Sequence, residues 1–232
     1  MIYSNKHNIC FLRIPKTGSE SLFSFLITNL YDTNADIISR KIEKLDNDEI
    51  VWGENNPLVE NSHVGADYLI KNNIVPKNCE FVGVIRNPYE KILSVYFAKV
   101  NIQKFKSSEE FISYFRYIIK GGKLSISIKK YDEYIQEYHI IPQSSFFKHE
   151  GKYVEKYRML LFDNIEKELS CYLKEKNINI DVKFPHINRT KYKTKQLIDI
   201  FYTDEIKEKV KEVYREDFKI YSDLKENICD DV

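Results

Sequence analysis

The sequence predicts an α/β fold, with helices on both faces of a central parallel sheet. Two observations carry this. Dense apolar runs of strand length recur along the chain, and each is followed at once by apolar residues at helical spacing. That alternation of strand and helix is the signature of parallel strands joined by helical crossovers. With 232 residues, 43% of them hydrophobic and 14% aromatic, the chain has material for one substantial core, and no linker, repeat or low-complexity tract divides it. A single domain over residues 1–232 is expected.

The first strand is "NICFLRI" (8–14), and a helix follows over 19–30 with Leu22, Phe23, Phe25, Leu26 and Leu30 on one side. Short helices are expected near Asp36–Leu45. "NSHVGADYL" reads as a short strand or extended piece leading into a helix over about 65–72. Phe81–Ile85 is a buried strand broken by Asn87-Pro88, with Pro88 suited to the first turn of a helix that carries Tyr89, Ile92, Leu93, Tyr96 and Phe97. Helices are expected over 107–120 and 129–138. "YRMLLF" (157–162) is a further strand, with Asp163 a candidate cap for the helix after it. A basic loop follows, and the last element is a helix from about 195 to 222.

Composition excludes some classes. Charged residues make up 31% of the chain, but their signs nearly cancel at +1, so bulk attraction to nucleic acid or an anionic membrane is not indicated. An anion site has to be built locally. The four cysteines, Cys10, Cys79, Cys171 and Cys229, form no CxxC pair and no zinc spacing, and read as reduced thiols of a reducing compartment. No apolar run approaches the roughly 20 residues a membrane span needs, and no signal peptide is visible; a cytoplasmic protein without stable membrane insertion is expected.

Two strand-to-helix corners carry chemistry. The first is "PKTGSES" (15–21). A helix N-terminus presents N–H groups and partial positive charge to an anion. Lys16 adds a full charge, Gly18 permits close backbone approach, and Thr17, Ser19 and Ser21 offer hydroxyls. Two readings stand: an ordinary turn capped by Ser19, or a phosphate cradle. The order differs from G-x-x-x-x-G-K-[ST], because Lys16 precedes the single glycine. The second corner is "VIRNPYEKILSVY" (84–96), where Arg86 leaves a strand and Ser94 lies about two turns into a helix. Arg86 reads as an anion ligand or as one half of an ion pair with Glu90 or Glu80. Ligands of open α/β sheets bind beyond the carboxyl ends of strands, so two such corners imply a ligand with two separated charged groups. Arg189, Lys191 and Lys193 add a local basic patch in the loop, which reads alternatively as a solvated surface.

The two blocks together, P-K-T-G-S-x-S-L and F-V-G-V-I-R-N-P-Y-E-K-x-x-S-x-Y, resemble the sulfotransferases that use 3′-phosphoadenosine 5′-phosphosulfate, and the likeness is nearer to their carbohydrate-modifying branch. "FPHINRT" (184–190) and the C-terminal segment are also similar. The resemblance implies a P-loop NTPase-like three-layer α/β/α fold, a saccharide-type acceptor, and adenosine 3′,5′-bisphosphate as product. It implies that Lys16, Thr17, Gly18, Ser19, Glu20 and Ser21 hold the 5′-phosphosulfate, that Arg86 and Ser94 hold the 3′-phosphate, and that Arg189 and Thr190 close over the nucleotide. Glu20 departs from the Thr often found there, and is expected to point away from the anion. Lys16 is expected to stabilise the leaving oxygen. No metal is expected, since a sulfuryl group carries less charge than a phosphoryl group.

A general base should take the acceptor's proton. His63 is the candidate, at the expected carboxyl end of a strand, with Glu54 and Glu60 as rivals and a structural histidine as the alternative. His186 is assigned to the nucleotide loop. His139, His149 and Gln143, around "IIPQSSFF", are acceptor-side candidates. A small-molecule or nucleotide kinase would share the fold but want the missing glycine–lysine order. A nucleotide- or glycan-binding protein with a decayed site is opposed by the intact Lys16, Ser19, Arg86 and Ser94.

Overall fold

The computed structural model of the chain describes residues 1–4, 6–31, 37–38, 43–44, 50–51, 63–100, 139–181, 183, 198–199 and 201–227. These form two compact units: Met1–Val84 with Ser144–Ile187, and Ile85–Gln143 with Asn188–Val232. The helices expected over 107–120 and 129–138 lie outside the described residues.

The first unit is built on a sheet. Its strands are β1 (Ile2–Ser4), β2 (Ile9–Phe11), β3 (Ile37–Ile38), β6 (Glu80–Ile85, whose last residue opens the other unit) and β9 (Tyr157–Leu161), in the order β3-β1-β2-β6-β9. Strands β2 and β6 are parallel, with Cys10 opposite Phe81. Pairing runs on past β2, where Leu12 N–H donates to Val82 O at 2.7 Å. The sheet is mixed rather than parallel throughout, because β1 runs antiparallel to both β2 and β3. The reason is chain length: four residues between Ser4 and Ile9 can close a hairpin but cannot make a parallel crossover. Asn8 sits in that turn at φ +54°, and its side chain accepts the Tyr3 hydroxyl at 3.1 Å. Two short pairs, β4 (Glu43–Lys44) with β5 (Ile50–Val51) and β7 (Lys148–His149) with β8 (Lys152–Tyr153), complete the strands. Residues 37–38 and 43–44 are thus extended where short helices were expected.

Helix α1 (Ser19–Tyr31) follows β2, α2 (Ala66–Lys71) precedes β6, and α4 (Ile165–Glu175) follows β9. One face of the sheet presents Ile9, Phe11, Val82, Val84 and Leu160 to Leu22, Phe23, Phe25 and Leu26 of α1 and to Leu169, Tyr172 and Leu173 of α4. Each such aliphatic or aromatic side chain contributes about 1.5–3 kcal/mol when buried. Phe11 meets Tyr172 edge-on, with ring centroids 6.3 Å apart. Asp163 does not cap α4. A 3-10 turn, Phe162–Asn164, intervenes and Asn164 occupies the cap. That turn keeps Phe162 against Gly18, where a Cβ would stand 2.7 Å from the ring.

The second unit contains α3 (Pro88–Val100), α5 (Asp204–Val213) and α6 (Arg215–Glu226). The continuous C-terminal helix expected from the sequence is broken at Tyr214, whose backbone leaves the helical region at φ −108°, ψ 27°. Tyr89 of α3 packs between Tyr202 and Phe218, with ring centroids 5.2 and 4.8 Å away. Its hydroxyl donates to Lys207 O at 3.1 Å, and the Tyr202 hydroxyl donates to Tyr89 O at 2.9 Å. No helix among the described residues is long and apolar enough to cross a membrane.

The opposite face of the sheet leaves no room at Gly83. A Cβ there would meet the Phe147 ring at 2.7 Å and Ile14 Cδ1 at 2.9 Å. Gly83→Ala is expected to destabilise the protein by about 1–3 kcal/mol through overpacking, read as a lowered urea midpoint at unchanged slope.

Candidate active site

The first corner lies wholly in the first unit. Ile14 and Pro15 are buried, and the chain then turns twice through the left-handed region, at Lys16 (φ +63°) and Gly18 (φ +74°). That conformation costs an L-residue such as lysine roughly 1–2 kcal/mol, and persists only where the surroundings impose it, as functional sites commonly do. Here two contacts impose it. Thr17 is buried, and its hydroxyl donates to Ile14 O at 2.9 Å. Gly18 is pressed against Phe162. Thr17's hydroxyl proton is therefore spent on the loop itself. Gly18 O accepts Leu22 N–H at 3.1 Å, so Gly18 is the residue before the first helical turn, and Ser19, the cap in the ordinary-turn reading, already belongs to α1. The first-turn N–H groups of a helix lack acceptors within it. Those of Ser19, Glu20 and Ser21 stand next to Lys16 in the chain.

Glu20 is half-exposed at the start of α1. It is paired with Arg13, whose guanidinium is only 2% exposed and also lies 5.7 Å over the Phe23 ring. Removing the Glu20 carboxylate would leave the buried Arg13 guanidinium unmatched, which gives a carboxylate a structural role at this loop. Arg13 does a second thing. Its carbonyl lies 2.6 Å from His63 Nδ1. A carbonyl only accepts, so Nδ1 carries the proton and the neutral ring has its lone pair on Nε2. His63 lies in a turn two residues ahead of Gly65 and α2, and the strand expected before it falls outside the described residues. The structure nevertheless brings it beside the backbone that leads to Lys16.

The second corner lies in the second unit. Asn87 caps α3: its side chain accepts Tyr89 N–H at 3.0 Å and its carbonyl accepts Lys91 N–H at 2.9 Å. Pro88 takes the first helical position, where no N–H is needed. Arg86 stands immediately before this cap. It is nearly buried and donates from Nη2 to Glu90 Oε2 at 3.3 Å, so of the two partners considered for it Glu90 is the one found; Glu80 pairs with Lys176 instead. Glu90 and the buried Ser94 are four residues apart and share a helix face. Gln143 was also considered on the acceptor side. It is fully buried and bonded to the Arg86 backbone. His149 is held by Asp67, Nδ1 to Oδ1 3.1 Å. Arg189, Thr190, His186, Glu54 and Glu60 lie outside the described residues.

The sulfotransferase family model matches residues 1–222. The chain belongs to the sulfotransferase family. Comparison with curated proteins gives no match, and comparison with solved structures gives none either. The family establishes a sulfuryl transferase, and its members generally draw on 3′-phosphoadenosine 5′-phosphosulfate as donor.

Three residues of this sulfotransferase's corners were not singled out from sequence. Arg13 had a visible signal, a lone charge inside an apolar run. Lys91 and Asp217 had none, being ordinary members of charged helices. Lys91 is fully buried, donates from Nζ to Ile141 O at 2.6 Å, and lies 5.8 Å over the Tyr214 ring. Burial pulls its ammonium down from 10.5 to about 8, with Asp217 opposing the shift. Between these values the unfolded chain holds more protons than the folded one. The cost of burying the charge is thus full below about pH 8 and relieved as pH rises toward 10.5. Across that window the wild type is expected to gain stability relative to Lys91→Met in urea denaturation; a constant difference would refute the assignment.

Proposed function

We propose that this sulfotransferase moves the sulfuryl group of 3′-phosphoadenosine 5′-phosphosulfate to a carbohydrate hydroxyl. The observation that carries the reading is the pair of left-handed residues, Lys16 and Gly18, directly ahead of α1 in a chain of this family. The loop's composition fits a bis-anionic nucleotide: a lysine, a helix N-terminus, and a carboxylate already neutralised by Arg13. Lys16 to Ser21 would hold the 5′-phosphosulfate, Arg86 and Ser94 the 3′-phosphate, and Arg189 and Thr190 the nucleotide's outer side. Strands β2 and β6, which lead to the first two sets, are parallel neighbours, which supports the P-loop NTPase-like three-layer reading. The family match runs through both units, which supports one catalytic domain. The likeness of both sequence blocks to the carbohydrate-modifying branch supports a saccharide acceptor.

When bound, the nucleotide supplies an activated sulfuryl group. The chain's own residues supply position and charge. Lys16 presents a fixed ammonium where negative charge develops, and one preorganised donor of this kind contributes roughly 3–4 kcal/mol. His63, with Nδ1–H directed at the Arg13 carbonyl, takes the acceptor proton at Nε2. Orientation by a carbonyl rather than a carboxylate leaves Nε2 as the acceptor without adding a formal negative charge beside an anionic donor.

Adenosine 3′,5′-bisphosphate should raise the melting temperature by mass action, and ATP should do much less; equal shifts would count against the reading. Lys16→Ala is expected to lower kcat by about 10²–10³-fold in a labelled-donor assay with saccharide acceptors. His63→Ala should abolish turnover while leaving the bisphosphate shift intact; retained turnover would move the base to a carboxylate.

A further inference from the structure

We infer that Gln143 is a positioning residue for Arg86, gripping both sides of the Arg86 peptide while Asp217 of α6 orients the carboxamide. The inference rests on the proposal that Arg86 takes the nucleotide's 3′-phosphate. Arg86 is the first residue past β6, where a strand's ladder runs out and its N–H and C=O need new partners. Gln143 provides both. Its Oε1 accepts Arg86 N–H at 2.9 Å and its Nε2 donates to Arg86 O at 2.9 Å. Only a carboxamide offers a donor and an acceptor side by side; a carboxylate can only accept, and a thioether does little of either.

The orientation of that amide is fixed from behind. Asp217 Oδ2 accepts the Gln143 backbone N–H at 2.6 Å and Nε2 at 3.3 Å. A carboxylate is acceptor-only, so Nε2 must face it and Oε1 must face Arg86 N–H. Gln143 and Asp217 are both fully buried, where an ill-placed polar group is costly and the network holds one geometry. Lys91 supplies the balancing charge near Asp217. The guanidinium of Arg86 therefore starts from a backbone held in place by a residue 57 positions away in sequence.

The test is a ratio that a merely structural role would not move. Wild type, Arg86→Ala and Gln143→Met are titrated calorimetrically with adenosine 3′,5′-bisphosphate and with adenosine 5′-monophosphate, which lacks the 3′-phosphate. Wild type should prefer the bisphosphate, and Arg86→Ala should lose the preference. Gln143→Met should cut it by about 10–100-fold while affinity for the monophosphate is nearly unchanged. Loss in Arg86→Ala with retention in Gln143→Met overturns the positioning role and leaves the nucleotide assignment standing. Equal weakening of both ligands in Gln143→Met also overturns it. A wild type indifferent to the 3′-phosphate, or an Arg86→Ala protein that keeps the preference, overturns the nucleotide assignment and the positioning role with it. If Gln143→Met does not fold, Asp217→Asn is titrated in the same way: a reduced ratio supports the role and an unchanged one overturns it.

Discussion

The buried guanidinium of Arg13 is the constraint on which the first corner depends. It lies just beyond the last residue of β2, pairs with Glu20 in the first turn of α1, and covers the Phe23 ring one turn further on. The carbonyl of the same residue takes the His63 imidazole. Strand, helix and the turn before α2 are thereby fixed to one another through a single residue, three positions before Lys16. A charge so placed must be matched, because an unpaired guanidinium in an apolar setting would lose several kcal/mol of hydration. Glu20 matches it. The acidic residue in the first turn of α1 is thus what allows the arginine beneath the loop.

The two corners obtain rigidity by different means. In the first unit it comes from strain held in place by packing: left-handed Lys16 and Gly18, Phe162 against Gly18, and the Thr17 hydroxyl turned back on Ile14. In the second it comes from a buried polar network, Arg86 to Gln143 to Asp217, beside a cap made by Asn87 and Pro88. Strain suits a loop that must offer several donors at once. A network suits a single side chain whose origin must not shift.

The strand–loop–helix units could be read from the sequence because two periodicities meet there. Apolar runs such as "NICFLRI" end abruptly, and Leu22, Phe23, Phe25 and Leu26 then keep helical spacing. Asn87-Pro88 was legible for a chemical reason, since a cap side chain and a residue without N–H fit only one place. Other features left no such mark. Strand β1 is three residues long and sits in a polar context. The break at Tyr214 was hidden because Val210, Tyr214, Asp217 and Tyr221 stay in phase across it, so periodicity continues where the backbone does not. The sequence left no sign of Gln143's buried network because both of its partners are distant in sequence. His63 was legible as a polar residue at a strand-to-helix turn, but its hold on the Arg13 carbonyl, 50 positions away in sequence, left no mark.

The 17 tyrosines invite a sugar-stacking interpretation, and the second unit shows a different use for three of them. Tyr89, Tyr202 and Tyr214 each send a phenolic proton to a backbone carbonyl, of Lys207, Tyr89 and Ile140 respectively. A phenol joins a broad apolar disc to one directional donor. Segments fastened in this way resist sliding along one another, because any slip separates every hydroxyl from its carbonyl together. Phenylalanine at the same positions would fill the volume and forfeit that registration.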